Sequence, residues 1–149
     1  MKQANGESRR RAAARPATGL RELNSISEAI IGATIEMHKA PGPGLLESTY
    51  EACLAHELAE GDHVVERQKG LPVSYRGLEV DCGYRVDLLV DGAVLGELQS
   101  TRDTEDIHRA QLLTCLKLAG LRLGLLMNCN VPGLGDGVHR MVNGYAPHA

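Results

Sequence analysis

A chain of 149 residues, 43% of them apolar, has room for one domain around one hydrophobic core. Only 3% of it is aromatic, with no Trp and no Phe, so the core must use Leu, Val, Ile, Ala and Met, and few rings remain on which unpaired bases could stack. The net charge of −3 is unevenly spread: residues 1–22 hold six basic and two acidic side chains, which leaves −7 on the rest and makes it a poor non-specific binder of phosphate backbones.

No apolar run reaches membrane-spanning length, and the first residues lack the apolar stretch of a secretory signal. Cys53, Cys82, Cys115 and Cys129 form no C-x-x-C pair, which argues against zinc. Free thiols in a reducing cytoplasm are the plain expectation.

Residues 1–22, rich in Arg, Ala and Gly, read as a disordered basic arm, 23–143 as the domain and 144–149 as a tail. Ser25 and Glu28 have capping-box spacing, and Ile26, Ile30, Ala33 and Met37 recur behind them at helical spacing. Pro41-Gly42-Pro43-Gly44 cannot continue that helix. A second helix is predicted over about Leu46 to Glu60, stopped by Gly61. Val64 to Gln68, Leu71 to Tyr75, Leu78 to Val90 and Ala93 to Gln99 read as strands, with turns at Arg76-Gly77 and Asp91-Gly92. A third helix, about Thr104 to Ala119, ends at Gly120, and Leu121 to Met127 reads as a buried strand. From Asn130 onward a short polar helix or coil is expected. The sum is an α/β chain in the order α-α-β-β-β-β-α-β.

The chemistry centres on Asp87 and Glu97. Each interrupts an apolar strand, where a carboxylate is costly unless it is solvated, paired or bound to a metal. A solvated sheet face is the alternative reading of both. Glu97 and Gln99 share a face by alternation. A three-residue loop, Val90-Asp91-Gly92, with Gly92 left-handed, would set Asp87 opposite Leu95 on that same face. A two-residue loop would turn Asp87 away. Glu47 and Glu51 lie one helical turn apart, either on an exposed face or with Glu47 entering the site. Gln111 stands beside Leu112, Leu113 and Leu116 as a boundary residue or a substrate contact. The six histidines show no ligand spacing, and neither a phosphate-cradling loop nor a G-x-S-x-G elbow is present.

The segments Gly42 to Glu51, Glu66 to Gln68, Tyr84 to Val90, Ile107 to Leu113 and Gly124 to Asn128 resemble, in order, those of the small bacterial GxxExxxR proteins. That family in turn resembles the PD-(D/E)XK nucleases. The resemblance runs from about Leu23 to Val142 and implies a PD-(D/E)XK nuclease-like core, a mixed sheet flanked by helices. It further implies that Asp87 and Glu97 ligate Mg²⁺ or Mn²⁺, that Glu47 completes the metal site from its helix, and that Gln111 opens a Q-x-x-x-Y motif. DNA is the implied partner. Four positions depart from the pattern. The E-x-K triplet reads Glu97-Leu98-Gln99, the tyrosine of the Q-x-x-x-Y motif is Cys115, the Asn-Phe-Asn after the last strand reads Asn128-Cys129-Asn130, and Glu51 stands where the GxxExxxR arginine is expected. A neutral amide at 99 can hydrogen-bond but supplies no charge. The resemblance therefore implies either a weakened metal-dependent nuclease or a non-catalytic DNA-binding or regulatory protein on a retired nuclease fold.

Overall fold

The structure, a computed structural model, describes residues 19–39, 46–101, 106–129 and 137–144. Most of the basic arm and the Pro41–Gly44 segment therefore lie outside the described residues. Helix α1 spans Leu20–Lys39 and buries Leu23, Ile26, Ile30, Thr34 and Met37 along one stripe. Ser25 is not its N-cap but lies inside it. The Leu23 amide bonds to Gly19 O at 3.0 Å, and Leu23 is buried, so packing extends the helix past the capping box. Helix α2, Glu47–Glu60, buries Tyr50, Leu54 and Leu58. Gly61 caps it, its amide reaching Glu57 O and Leu58 O. The left-handed residue is the next one, Asp62, at φ 65°.

Strand β1 spans Val65–Tyr75 and joins what the sequence reads as two strands. The long strand β2, Leu78–Val90, pairs across the break, with Lys69 opposite Val86 and Gly70 opposite Arg85. Strand β3, Val94–Gln99, runs antiparallel to β2, and helix α3, Asp106–Ala119, leads to β4, Leu123–Asn128. Gly120, at φ 68°, stops α3 as expected. The last element corrects the sequence reading: Val138–Val142 is a strand, β5, paired antiparallel with β4. Its mixed Val-His-Arg-Met-Val composition suits an edge with one solvated face, which is why it resembles polar coil in isolation. The observed order is α-α-β-β-β-α-β-β.

The strands form one mixed sheet in the order β1-β2-β3-β4-β5. Among the described strands only β3 and β4 are parallel, as a crossover through α3 requires. β4 is buried along its whole length, flanked by a strand on each side and packed on both faces. Leu123, Leu125 and Met127 face α1 and α2, together with Ile30, Leu54, Leu88 and Leu98. Leu126 faces α3, with Leu95, Leu112 and Leu116. This is the α/β fold expected from the sequence, a mixed sheet between helices.

The β2–β3 hairpin decides how the acidic residues meet. Val90 pairs with Val94, Leu89 with Leu95 and Leu88 with Gly96, so the loop is Asp91-Gly92-Ala93. Gly92 is left-handed as predicted, at φ 64°, and Asp91 joins it at φ 52°. Asp91 tolerates this because its carboxylate accepts the Val64 amide at 2.8 Å and lies 2.7 Å from His63 Nδ1. Leu95 therefore opposes Leu89, not Asp87. One step beyond Leu88 and Gly96, the register brings Asp87 to Glu97.

Candidate active site

At that step the ladder gives way to carboxylates. The Asp87 amide donates to Glu97 Oε1 at 3.1 Å, and the Leu98 amide donates to Asp87 Oδ2 at 2.8 Å. Each acidic side chain thus satisfies a main-chain donor of the opposite strand, which offsets part of its burial. Glu97 remains poorly compensated. Burial, foremost, together with the charges of Asp87 and Glu51, pushes its carboxyl up to about 8, although the bond from the Asp87 amide acts in the opposite direction.

Glu97 and Gln99 open into a cleft of about 170 Å³ between the sheet and α3, where they meet Gln111 and Cys115 of α3. Tyr84, Arg85 and His108 line its rim. Gln99 Oε1 is buried there without a hydrogen-bond partner. The Cys115 thiol is pushed up to about 11, by burial first and then by the Glu97 charge, and so stays neutral. Leu112 presses α3 down on β4: a Cβ built on Gly124 would lie 3.2 Å from it. The absence of a side chain at 124 lets the helix carrying Gln111 approach the strand.

Asp87 lies beside the cleft and is held from the opposite side. Gln68 of β1, at φ 51°, places its Nε2 3.1 Å from Asp87 Oδ1 and 3.1 and 3.0 Å from the two oxygens of Glu51. Glu51 is buried and also meets Arg67 Nε at 3.5 Å. Glu47 stands at the other end of the site, where its Oε1 accepts the Ser100 amide at 2.7 Å just past β3. The charges of Glu47 and Asp87 both reach the buried Cys129 thiol, pushed up to about 12 chiefly by burial. Of the residues singled out in the sequence, Glu97, Gln99 and Gln111 share the cleft, Asp87 is bonded to Glu97 through the backbone, and Glu47 caps the strand end. Sequence reasoning missed Gln68 as the partner of Asp87 and Glu51 as the carboxylate that shares its amide, and Arg85 and His108 as cleft residues. The run Glu66-Arg67-Gln68 was visible as a segment, but nothing in it marks a left-handed glutamine.

The model of the PD-(D/E)XK nuclease superfamily matches residues 24–141. The chain belongs to this superfamily. Neither the curated proteins nor the solved structures yield a significant match.

PD-(D/E)XK nucleases typically use divalent metals, and the residues here fit such an ion by donor type. Asp87 and Glu97 offer hard carboxylate oxygens, and the partnerless Gln99 Oε1 offers a further oxygen in the cleft that Glu97 lines. Among the described residues no three His, Cys, Asp or Glu side chains form a group that could hold a metal ion. No described helix is long and apolar enough to cross a membrane.

Proposed function

We propose that this PD-(D/E)XK protein is a Mg²⁺- or Mn²⁺-dependent nuclease-like protein acting on DNA, slowed by Gln99 at the position of the motif lysine. The single observation that carries this reading is the interlocked pair of Asp87 and Glu97 beside a cleft that also holds Gln99 and Gln111. Asp87 and Glu97 are the ligands, and Glu47, held on the Ser100 amide at the end of β3, would complete the set only by swinging away from it. When bound, a divalent cation would lower the pKa of a water and stabilise charge on the phosphoryl group.

The protein's own side chains do the rest. Asp87 and Glu97 are presented by strands whose amides fix them, so they need little reorganisation. Without a cation, Glu97 at about 8 holds a proton at neutral pH and lessens the repulsion among the acids. Arg85 brings positive charge to the cleft rim, and Gln111 brings an amide that can donate to a phosphate or a base. Gln99 can orient a water by hydrogen bonding but cannot supply a lysine's charge.

A second reading keeps the fold and abandons the chemistry: a non-catalytic DNA-binding or regulatory protein. It is favoured by the neutral, buried Cys115 thiol where the exonuclease-type motif has tyrosine, and by the amide at 99. The finer kinship with GxxExxxR proteins rests on the matching segments. Glu51, at the arginine position, accepts from Gln68 and pairs with Arg67, which an arginine there could not do. Cleavage of linear and nicked DNA with Mg²⁺ or Mn²⁺, with Glu97→Ala as control, separates the two functions. Metal-dependent activity lost in the control supports the nuclease. No cleavage by the wild type under any of these conditions supports the retired site.

A further inference from the structure

Gln68 adopts φ 51° in the middle of a strand, between the pairs Arg67–Leu88 and Lys69–Val86. The register on either side is continuous, so this left-handed residue is not a slip of pairing. L side chains rarely adopt that conformation, and strain of this kind persists where the surroundings over-determine it. Gln68 is also exposed, so burial of its side chain offers little in return. Its return is polar. One amide group meets three carboxylate oxygens within 3.1 Å, two on Glu51 of α2 and one on Asp87 of β2. A primary amide has two N–H donors, enough for one bond to each carboxylate. Glu51 is a firm anchor, being buried and paired with Arg67. Asp87 is then gripped at both oxygens, Oδ1 by Gln68 and Oδ2 by the Leu98 amide.

The geometry points to Gln68 as a positioning residue that fixes the Asp87 carboxylate, with Glu51 and Arg67 as its footing. It rests on the reading of Asp87 as an acid of the nuclease-like site and assigns the group that orients it. The strain at position 68 is the backbone cost of aiming that amide at Asp87. Outer partners of metal-ligating groups commonly set affinity in this way.

Gln68→Gly is the informative variant, because glycine accepts the left-handed backbone and should leave the fold intact. Amide exchange at Leu98, compared with Leu126 in the centre of β4, reads the positioning directly, since β1 and β3 are not neighbours in the sheet. The expected result is exchange at Leu98 roughly tenfold faster, unchanged exchange at Leu126 and no loss of melting temperature. Mn²⁺ affinity, measured by calorimetry on the full chain, should fall about tenfold or more. Gln68→Asn, which keeps an amide and tolerates positive φ, should recover part of the Leu98 protection. Wild-type protection of Leu98 in Gln68→Gly would overturn the proposal. So would equal acceleration at Leu98 and Leu126, which would mark Gln68 as merely structural. If the wild type neither binds Mn²⁺ nor cuts DNA, the nuclease reading fails, while the Leu98 comparison still decides whether Gln68 positions Asp87.

Discussion

Asp87 and Glu97 are interlocked through the backbone: the Asp87 amide donates to Glu97 Oε1 at 3.1 Å, and Asp87 Oδ2 accepts from Leu98, the residue after Glu97, at 2.8 Å. Two acids of like charge are thereby held close by neutral donors. The arrangement stores repulsion that a proton or a cation can relieve, and the pH and metal predictions below rest on it.

The first prediction concerns Gln99. If the site works, restoring the positive charge should raise cleavage by about 10²–10³, the usual size of one preorganised electrostatic contact. The assay compares wild type, Gln99→Lys, and Gln99→Lys with Glu97→Ala on the same DNA. Activity that appears in the second and vanishes in the third supports a working acidic pair. Equal, absent activity in all three favours the non-catalytic reading. Wild-type activity equal to that of Gln99→Lys would show that the missing charge does not limit the rate.

Glu97 should make stability fall with pH in chelator-treated buffer. Its carboxyl sits at about 8 in the fold against an ordinary 4.5. A raised acid binds its proton more tightly when folded. Its contribution is therefore complete below about 4.5 and is lost as pH rises through about 8. Melting temperature measured from pH 5 to 9 should decline across that window, and Glu97→Gln should flatten the decline. An identical slope in the variant would refute the assignment.

Divalent cations should raise the melting temperature, because a ligand that binds only the folded state stabilises it. Asp87→Asn and Glu97→Gln should each abolish most of the rise in millimolar Mg²⁺ or Mn²⁺. Glu47→Gln tests the helix-borne ligand with little structural disturbance, since a glutamine oxygen can still accept the Ser100 amide. A rise that survives in Glu47→Gln but is lost in Glu51→Gln would transfer the third ligand role to Glu51.

Gly124→Val should overpack the contact with Leu112, whose side-chain atoms lie 3.2–3.3 Å from a Cβ at that position. A loss of about 1–3 kcal/mol is expected by denaturant unfolding. Because α3 carries Gln111 and Cys115, any cleavage activity should fall as well, even under conditions where the variant is fully folded.

Removing residues 1–18 should leave the melting temperature nearly unchanged, because that segment is basic and poor in large apolar side chains. A truncation to residue 23 should cost more. It deletes the first helical residues and the Gly19 carbonyl that accepts the Leu23 amide at 3.0 Å. Equal melting temperatures for the two truncations would show that this first turn contributes nothing.

Local patterns were enough to find most of the elements. The apolar stripe of α1, the stop at Gly120, the turn at Gly92 and the buried run of β4 are written in residue spacing and in the φ that glycine permits. The same patterns exposed Asp87 and Glu97, because a carboxylate stands out in an apolar strand. Sequence alone did not settle what each strand would pair with. β5 exists because β4 offers it a ladder, and β1 continues through Lys69-Gly70 because β2 is long enough to pair across it. Tertiary structure also set the hairpin register two residues away from the expected one, bringing Glu97 rather than Leu95 to Asp87. The partners of Asp87 depended on it most of all. Glu51, Gln68 and Asp87 lie 17 and 19 residues apart along the chain, and only the packing of α2 over the β1–β2 pair, with Gln68 left-handed, brings one amide into contact with both carboxylates.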